Sequence, residues 1–259
     1  MIKELVGQDV DAIEFAAELF LRAHCAVILT GAGLSTPSGI PDFRSEGNGL
    51  WSRYDPMEVA SLSSFRTAPE KFFAWFRPLA RQILDAAPNP AHLALAALER
   101  AGRAQTIVTQ NIDILHQKGG AQRVLEIHGT LATLSCTQCY TQVDSAPFLT
   151  AFVNQGTIPL CPLCGAILKP DVILFGEQLP QEPWRQAQRA ASQCDLFLVA
   201  GSSLEVLPVA GLPMQALEAG AHLIILNESP TYLNGRADVA ILDDVARVLP
   251  AIADKVIHG

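Results

Sequence analysis

The run Ala26-Val27-Ile28-Leu29-Thr30-Gly31-Ala32-Gly33-Leu34-Ser35-Thr36-Pro37-Ser38-Gly39-Ile40-Pro41-Asp42-Phe43-Arg44 starts as a short apolar strand and breaks at once into glycine, serine and proline. A strand delivered into a Gly-rich turn is the opening unit of a parallel α/β sheet. There backbone N–H groups can approach a pyrophosphate, and a helix start adds its dipole. The spacing departs from G-x-G-x-x-G, because Thr36 stands where the third glycine belongs. On the glycines alone, a tight strand-to-helix turn explains the run as well as a dinucleotide loop does. Asp42-Phe43-Arg44 changes the balance, since an acid, an aromatic and a guanidinium in succession make a poor core segment but a suitable movable lid over a nucleotide.

Working outward, further apolar runs at Gln105–Thr109, Arg123–Ile127, Leu196–Ala200, His222–Leu226 and Val239–Leu242 predict strands, most too uniformly apolar for a one-sided sheet. Helical patterns lie between them, at 9–23, 69–86, 182–193, 208–220 and 244–256. The clearest has Asn89 as cap, Pro90 in the first turn and a stop near Gly102. The alternation predicts an α/β fold with a doubly wound parallel sheet, a Rossmann-like large lobe. Residues 46–87, rich in Trp and Phe, and 131–171, holding two C-x-x-C pairs, do not fit it. They are expected to form a smaller lobe of a helical module and a zinc-ribbon module, with the large lobe at about 1–45, 88–130 and 172–259.

Of the 259 residues, 49% are hydrophobic and only 17% charged, which excludes a disordered chain. The apolar runs are strand-sized, far below the ~18 residues of a membrane span. The N-terminal stretch alternates charged and apolar residues as an amphipathic helix and lacks a signal-peptide core, so a cytoplasmic location is expected. The net charge of −8 repels a phosphate backbone, and no direct nucleic-acid partner is expected.

Four constellations carry chemistry. Gln110, Asn111 and Asp113 follow the Gln105–Thr109 strand, where ligands of a doubly wound sheet bind. Helix capping by Asn111 would explain only one of the three, and His116 is expected to be a histidine of the next helix. His128 ends the Arg123–Ile127 strand with Gly129 behind it and is expected to be a general base. Cys136, Cys139, Cys161 and Cys164 have the spacing of a closed Cys₄ zinc site, structural because no coordination position stays open. Gly201-Ser202-Ser203 and Asn227 sit at two more strand ends, placed for the adenosine half of a dinucleotide.

Taken in order, Gly31-Ala32-Gly33 through Arg44, Gln110-Asn111-Ile112-Asp113, His128-Gly129, the four cysteines, Phe175-Gly176-Glu177 and Gly201-Ser202-Ser203 resemble the sirtuin family of NAD-dependent protein deacylases, over nearly the whole chain. Lys169-Pro170 departs from the Arg-Pro frequent there. It is expected to leave the chemistry untouched. The resemblance implies NAD as co-substrate and one structural Zn²⁺. It puts Gly31, Ala32, Gly33, Ser35, Thr36, Asp42, Phe43 and Arg44 in the NAD loop. Gln110, Asn111, Ile112 and Asp113 would surround the nicotinamide and its ribose, with Asn111, Asp113 and His128 catalytic. Gly201, Ser202, Ser203, Asn227, Glu228 and Val245 would face the adenosine end. An acyl-lysine peptide would add as a strand along Ile173, Leu174, Phe175, Gly176 and Glu177, opposite Val206. A mono-ADP-ribosyltransferase and a non-catalytic NAD-sensing zinc-ribbon protein are the alternatives. His128 favours acyl transfer over the first, and the full set of polar strand ends argues against the second. Sirtuins that take succinyl or malonyl groups share a Tyr-x-x-Arg pair. The matching stretch, Phe72-Phe73-Ala74-Trp75-Phe76-Arg77, has no Tyr, which predicts uncharged acyl groups.

Overall fold

The computed structural model describes residues 7–43 and 49–259. Helix α1 (Gly7–Arg22) leads into β1 (Ala26–Thr30), and the helical module follows as α2 (Pro56–Val59), α3 (Leu62–Thr67) and α4 (Pro69–Asp85). The chain returns through α5 (Pro90–Arg100), β2 (Thr106–Thr109), α6 (Leu115–Lys118) and β3 (Val124–Glu126). A second excursion holds β4 (Gly129–Cys136), β5 (Gln142–Asp144), α7 (Ala146–Gln155) and β6 (Leu168–Val172). Then come α8 (Gln181–Gln193), β7 (Leu196–Ala200), α9 (Leu212–Glu218), β8 (His222–Leu226), β9 (Val239–Ile241) and α10 (Val245–His258).

The large sheet is parallel throughout, in the order β3-β2-β1-β7-β8-β9. With β7, β8 and β9 as fourth to sixth strands, this is the 3-2-1-4-5-6 order of dinucleotide-binding sheets, whose direction of winding reverses between β1 and β7. The uniform apolarity of β1 has a direct cause: Ala26 and Ile28 face one core, with α1, α5 and α10, while Val27 and Leu29 face the other, with α8 and α9. Burying each Val, Leu or Ile is worth about 1.5–3 kcal/mol, so the strand pattern enforces two covered faces. The start of α5 is set locally by a capping box: Asn89 accepts from the Ala91 N–H, and His92 Nδ1 accepts from the Asn89 N–H.

One detail differs from expectation, and one shows how the smaller lobe is packed. The strand expected over Arg123–Ile127 stops at Glu126, and Ile127–His128 form a turn straight into β4, joining the large sheet to the antiparallel sheet β5-β4-β6. Glycine at 129 is required there, because at φ +78° a Cβ would meet the Asp171 carbonyl oxygen. The aromatics of the helical module do not pack alone: Phe65, Phe72, Phe73 and Phe76 share one core with Leu131, Leu149, Phe152 and Val153 of the cysteine-bearing segment. Phe73 meets Phe152 edge-on at 5.4 Å and Phe76 stacks on it at 6.3 Å.

Candidate active site and cysteine centre

At the β1/β7 reversal the two strand-end loops lie backbone against backbone. The Gly31 N–H donates to the Ala200 carbonyl at 3.2 Å and the Gly33 N–H to the Gly201 carbonyl at 2.9 Å. A Cβ on Gly31 would stand 2.7 Å from the Gly201 oxygen, and one on Gly201, at φ +63°, 2.2 Å from the Leu34 nitrogen. The sequence suggested that such glycines open their N–H groups to a pyrophosphate. Those of Gly31 and Gly33 are instead committed to the end of β7 and the residue after it, and the missing side chains serve close packing there.

Polar side chains converge on this crevice from β2. Asn111 Nδ2 donates to the Gly31 carbonyl (3.0 Å) and to Ser35 Oγ (3.1 Å), and Gln110 Nε2 donates to Ser202 Oγ (2.9 Å). Asp113, 4% exposed, accepts from Ser35 Oγ at 2.7 Å and from the Leu115 N–H at 2.9 Å. The helix N–H considered for Asn111 is therefore bonded by Asp113, from the position before the N-cap Ile114. Both oxygens are now seen to be acceptors in a buried network, and an amide would point its NH₂ at one of the two donors. Asp113→Asn is expected to cost about 1–3 kcal/mol of stability as well as NAD affinity, read by thermal melting beside NAD kinetics. An unchanged melting curve would refute the structural half.

His128 is partly buried, with Nδ1 3.2 Å from the Gln110 carbonyl oxygen. A carbonyl only accepts, so Nδ1 carries the proton and Nε2 keeps a free lone pair. Burial, only partly offset by that hydrogen bond, holds its pKa below the usual imidazole value. His116 is a buried helix histidine, as expected. Its Nε2 lies 2.9 Å from Thr30 Oγ1, which itself donates to Thr109, and burial next to His92 pushes its pKa down to about 3.

The remaining predicted residues divide. Ser202 and Asn227 are buried at the ends of β7 and β8, Asn227 Nδ2 donating to the Ser229 carbonyl at 2.7 Å, while Ser203 and Glu228 are exposed. Val245 sends its side chain into the core beside α1 and α5, which leaves only its backbone for a ligand. Ala32 and Thr36 lie in the loop after β1, Ile112 packs against the aromatic core, and Asp42 is half-buried. Phe43 meets Trp51 at 5.2 Å, and Arg44 lies outside the described residues. Trp51, which also stacks on Trp75 and meets Phe175 edge-on, joins Phe43 to the substrate-side segment, a contact between distant stretches that carries no spacing signal in the sequence.

Along Ile173–Glu177, the Ile173 N–H donates to the His128 carbonyl at 2.8 Å, tying the segment to the histidine. Phe175 is bridged on one edge, donating to the Ala60 carbonyl and accepting from the Leu62 N–H, both at 2.9 Å. Val206 is half-buried and its carbonyl accepts from Ala210.

The four cysteine Sγ atoms all lie within 4.8 Å of one another, with Cys136 and Cys161 buried and Cys139 and Cys164 exposed. The Sγ separations of 3.4 Å (Cys136–Cys164) and 3.6 Å (Cys139–Cys161) approach the ~3.8 Å between sulfurs of a tetrahedral Zn–S₄ centre. The Gln138 and Cys139 N–H groups point at Cys136 Sγ at 3.4 Å, as donors to a thiolate do. The residues fit a zinc ion.

A 3-2-1-4-5-6 sheet with a polar crevice at its reversal, an imidazole at the crevice edge and a closed thiolate cluster define a dinucleotide-using protein with a structural metal site. The profile of the Sir2 family matches residues 31–208, and the chain belongs to that family. It is 47% identical over 247 residues to NAD-dependent protein deacylase 2 of Archaeoglobus fulgidus, covering 95% of this chain and 96% of that one. Over 245 residues it is 41% identical to NAD-dependent protein deacetylase 1 of Pyrobaculum aerophilum, covering 95% of each. Its fold is similar to Sir2Tm bound to a propionylated peptide, with TM-score 0.84, 33% identity and 94% and 98% of the two chains covered. It is likewise similar to Sir2Af2 bound to a myristoylated histone peptide, with TM-score 0.82, 41% identity and 95% and 97% covered.

Proposed function

We propose that the chain is an NAD-dependent protein-lysine deacylase in which His128 is the general base. The observation that carries this is the His128 Nδ1 contact to the Gln110 carbonyl, which leaves Nε2 as a proton acceptor at the edge of the crevice. NAD, when bound, supplies the ribose carbon that the acyl oxygen attacks as nicotinamide leaves, and the ADP-ribose that carries the acyl group away. Ser35, Asn111 and Asp113 hold the nicotinamide ribose, Gln110 and Ser202 fix the floor between β2 and β7, and Asn227 serves the adenosine end. Ile112 walls the nicotinamide side. His128 takes a proton from a ribose hydroxyl after nicotinamide departs. The substrate backbone lies along Ile173–Glu177 opposite Val206. We place the lobe division at the boundaries expected from sequence and the protein in the cytoplasm, where reducing conditions keep a zinc-binding thiolate set intact. Among the described residues no helix is long and apolar enough to cross a membrane.

Acyl selection follows from two arginines. Arg77 donates to the Val153 and Asn154 carbonyls at 2.9 and 2.8 Å, and Arg81 to the Val153 carbonyl and Asn154 Oδ1 at 2.9 and 3.1 Å. Two hydrogen bonds anchor each guanidinium at the end of α7, so turning either one onto an acyl carboxylate would cost those bonds. An alkyl chain gains about 0.8 kcal/mol per buried CH₂, whereas an unpaired carboxylate costs several kcal/mol. With NAD and a set of acyl-lysine peptides, mass spectrometry is expected to find acyl-ADP-ribose and nicotinamide, acetyl and short alkyl acyl groups turning over well ahead of succinyl. Nicotinamide release without acyl transfer would support ribosyl transfer instead. A higher kcat/KM for succinyl-lysine would reverse the selectivity assignment.

A further inference from the structure

Lys169, the departure from Arg-Pro, is bonded to the proposed substrate segment Ile173–Glu177. Its side chain, on β6, is 16% exposed, and Nζ stands 3.1 Å from Glu177 Oε2. Nζ also donates to the Pro170 and Val172 carbonyls at 3.1 and 2.8 Å. An ammonium has three N–H donors, and these three oxygens use them all. The same Glu177 Oε2 accepts the Leu174 N–H at 2.7 Å, and the Glu177 N–H returns to the Leu174 carbonyl at 2.9 Å.

The turn Leu174–Glu177 is thereby closed on itself. Both backbone groups of Leu174 are consumed within it, and both of Phe175 are bonded to Ala60 and Leu62. The N–H and C=O of Gly176 make no backbone hydrogen bond among the described residues, and nothing lies within 4 Å of where its Cβ would be. A chain adding to this segment needs such an unpaired donor and acceptor. We infer that Lys169 is a positioning residue for the peptide substrate: by holding Glu177 it fixes the turn that presents Gly176 to the incoming backbone. The inference rests on the reading of Ile173–Glu177 as the substrate segment.

The physical reason is the burial of the pair. Glu177 is 19% exposed, and without the ammonium its carboxylate would be left largely desolvated and uncompensated. It would turn toward water, the Leu174 N–H would lose its acceptor, and Gly176 would no longer be held. A compact ammonium suits three converging oxygens. A guanidinium keeps the charge on Glu177 but spreads its donors in a plane.

Steady-state kinetics of Lys169→Met and Lys169→Arg in the full-length zinc-loaded protein, with an acetyl-lysine peptide and NAD varied in turn, test this. Lys169→Met is expected to raise the peptide KM by about tenfold, the scale of one charge-assisted hydrogen bond, with the NAD KM and zinc content unchanged. Lys169→Arg should restore most of the peptide KM. Lys169→Gln should show the same split and serves as the test if Lys169→Met does not fold. An unchanged peptide KM, or peptide and NAD KM rising together with loss of zinc, would overturn the positioning role. If the wild-type protein itself fails to turn over the peptide, the deacylase reading falls first. If it turns over and the methionine variant keeps its peptide KM, only the Lys169 inference falls.

Discussion

His128→Ala is expected to reduce acyl transfer by about 10²–10⁴-fold while NAD binding survives, because the variant removes the proton acceptor and leaves the β1, β2 and β7 loops bonded as they are. The hydrogen bonds joining Gly31, Ser35, Asn111, Asp113, Gln110 and Ser202 do not include the imidazole, whose polar contact among the described residues is to the Gln110 backbone. The pH profile gives a second check. Burial lowers the His128 pKa from 6.5, so the neutral, base-competent form dominates at pH 7, and activity is lost only as the pH falls through the lowered value. The acid limb of kcat/KM should accordingly lie below the ordinary imidazole range. Calorimetric NAD binding alongside peptide kinetics separates the roles. Near-normal deacetylation by His128→Ala would pass the base to another group. His116 is a poor successor: it is buried, and its Nε2 is occupied at Thr30.

Cys161→Ser is expected to lose zinc and to unfold at markedly lower temperature. Cys161 is buried, with its Sγ 3.6 Å from that of Cys139 in the four-sulfur cluster, and a serine oxygen is a poorer zinc ligand than a thiolate. Structural zinc contributes on the order of 10–16 kcal/mol to isolated zinc-finger peptides, against a total folding stability of about 5–15 kcal/mol for a typical protein. The damage should reach beyond the knuckles. Cys136 ends β4 and Leu168 starts β6, the strands whose other ends carry Gly129 and Val172 next to His128 and Ile173. Metal analysis and melting should therefore fall together, with activity following. A folded, metal-free and fully active Cys161→Ser protein would show that zinc does not hold this module.

How far each feature was legible depended on the range of the interaction behind it. The six strands of the large sheet and the helices around them were visible because a parallel strand buried on both faces must be apolar throughout, as Leu196–Ala200 is. Cap chemistry at Asn89 and Pro90 is decided within one turn. The C-x-x-C spacing is likewise dictated by the reach of a knuckle around one ion, and the strand ends carrying Gln110, Asn111 and His128 follow from where ligands bind in such a sheet.

What local sequence could not decide is which partner each polar group would find. Gly31 and Gly33 read as phosphate-binding glycines, yet their N–H groups bond Ala200 at the end of β7 and Gly201 just after it, far along the chain. Asp113 read as an open ligand group, and folding buried it between Ser35 and Leu115. Val245 went to the core, Arg77 and Arg81 went to α7, and Lys169 was drawn to Glu177 across the turn after β6. Apolar periodicity determined the layers of this protein, because the hydrophobic effect is non-directional and recorded residue by residue. Only the tertiary structure decided its hydrogen bonds, because these need a second group at about 3 Å in the right direction, and chain distance says nothing of when two loops will meet.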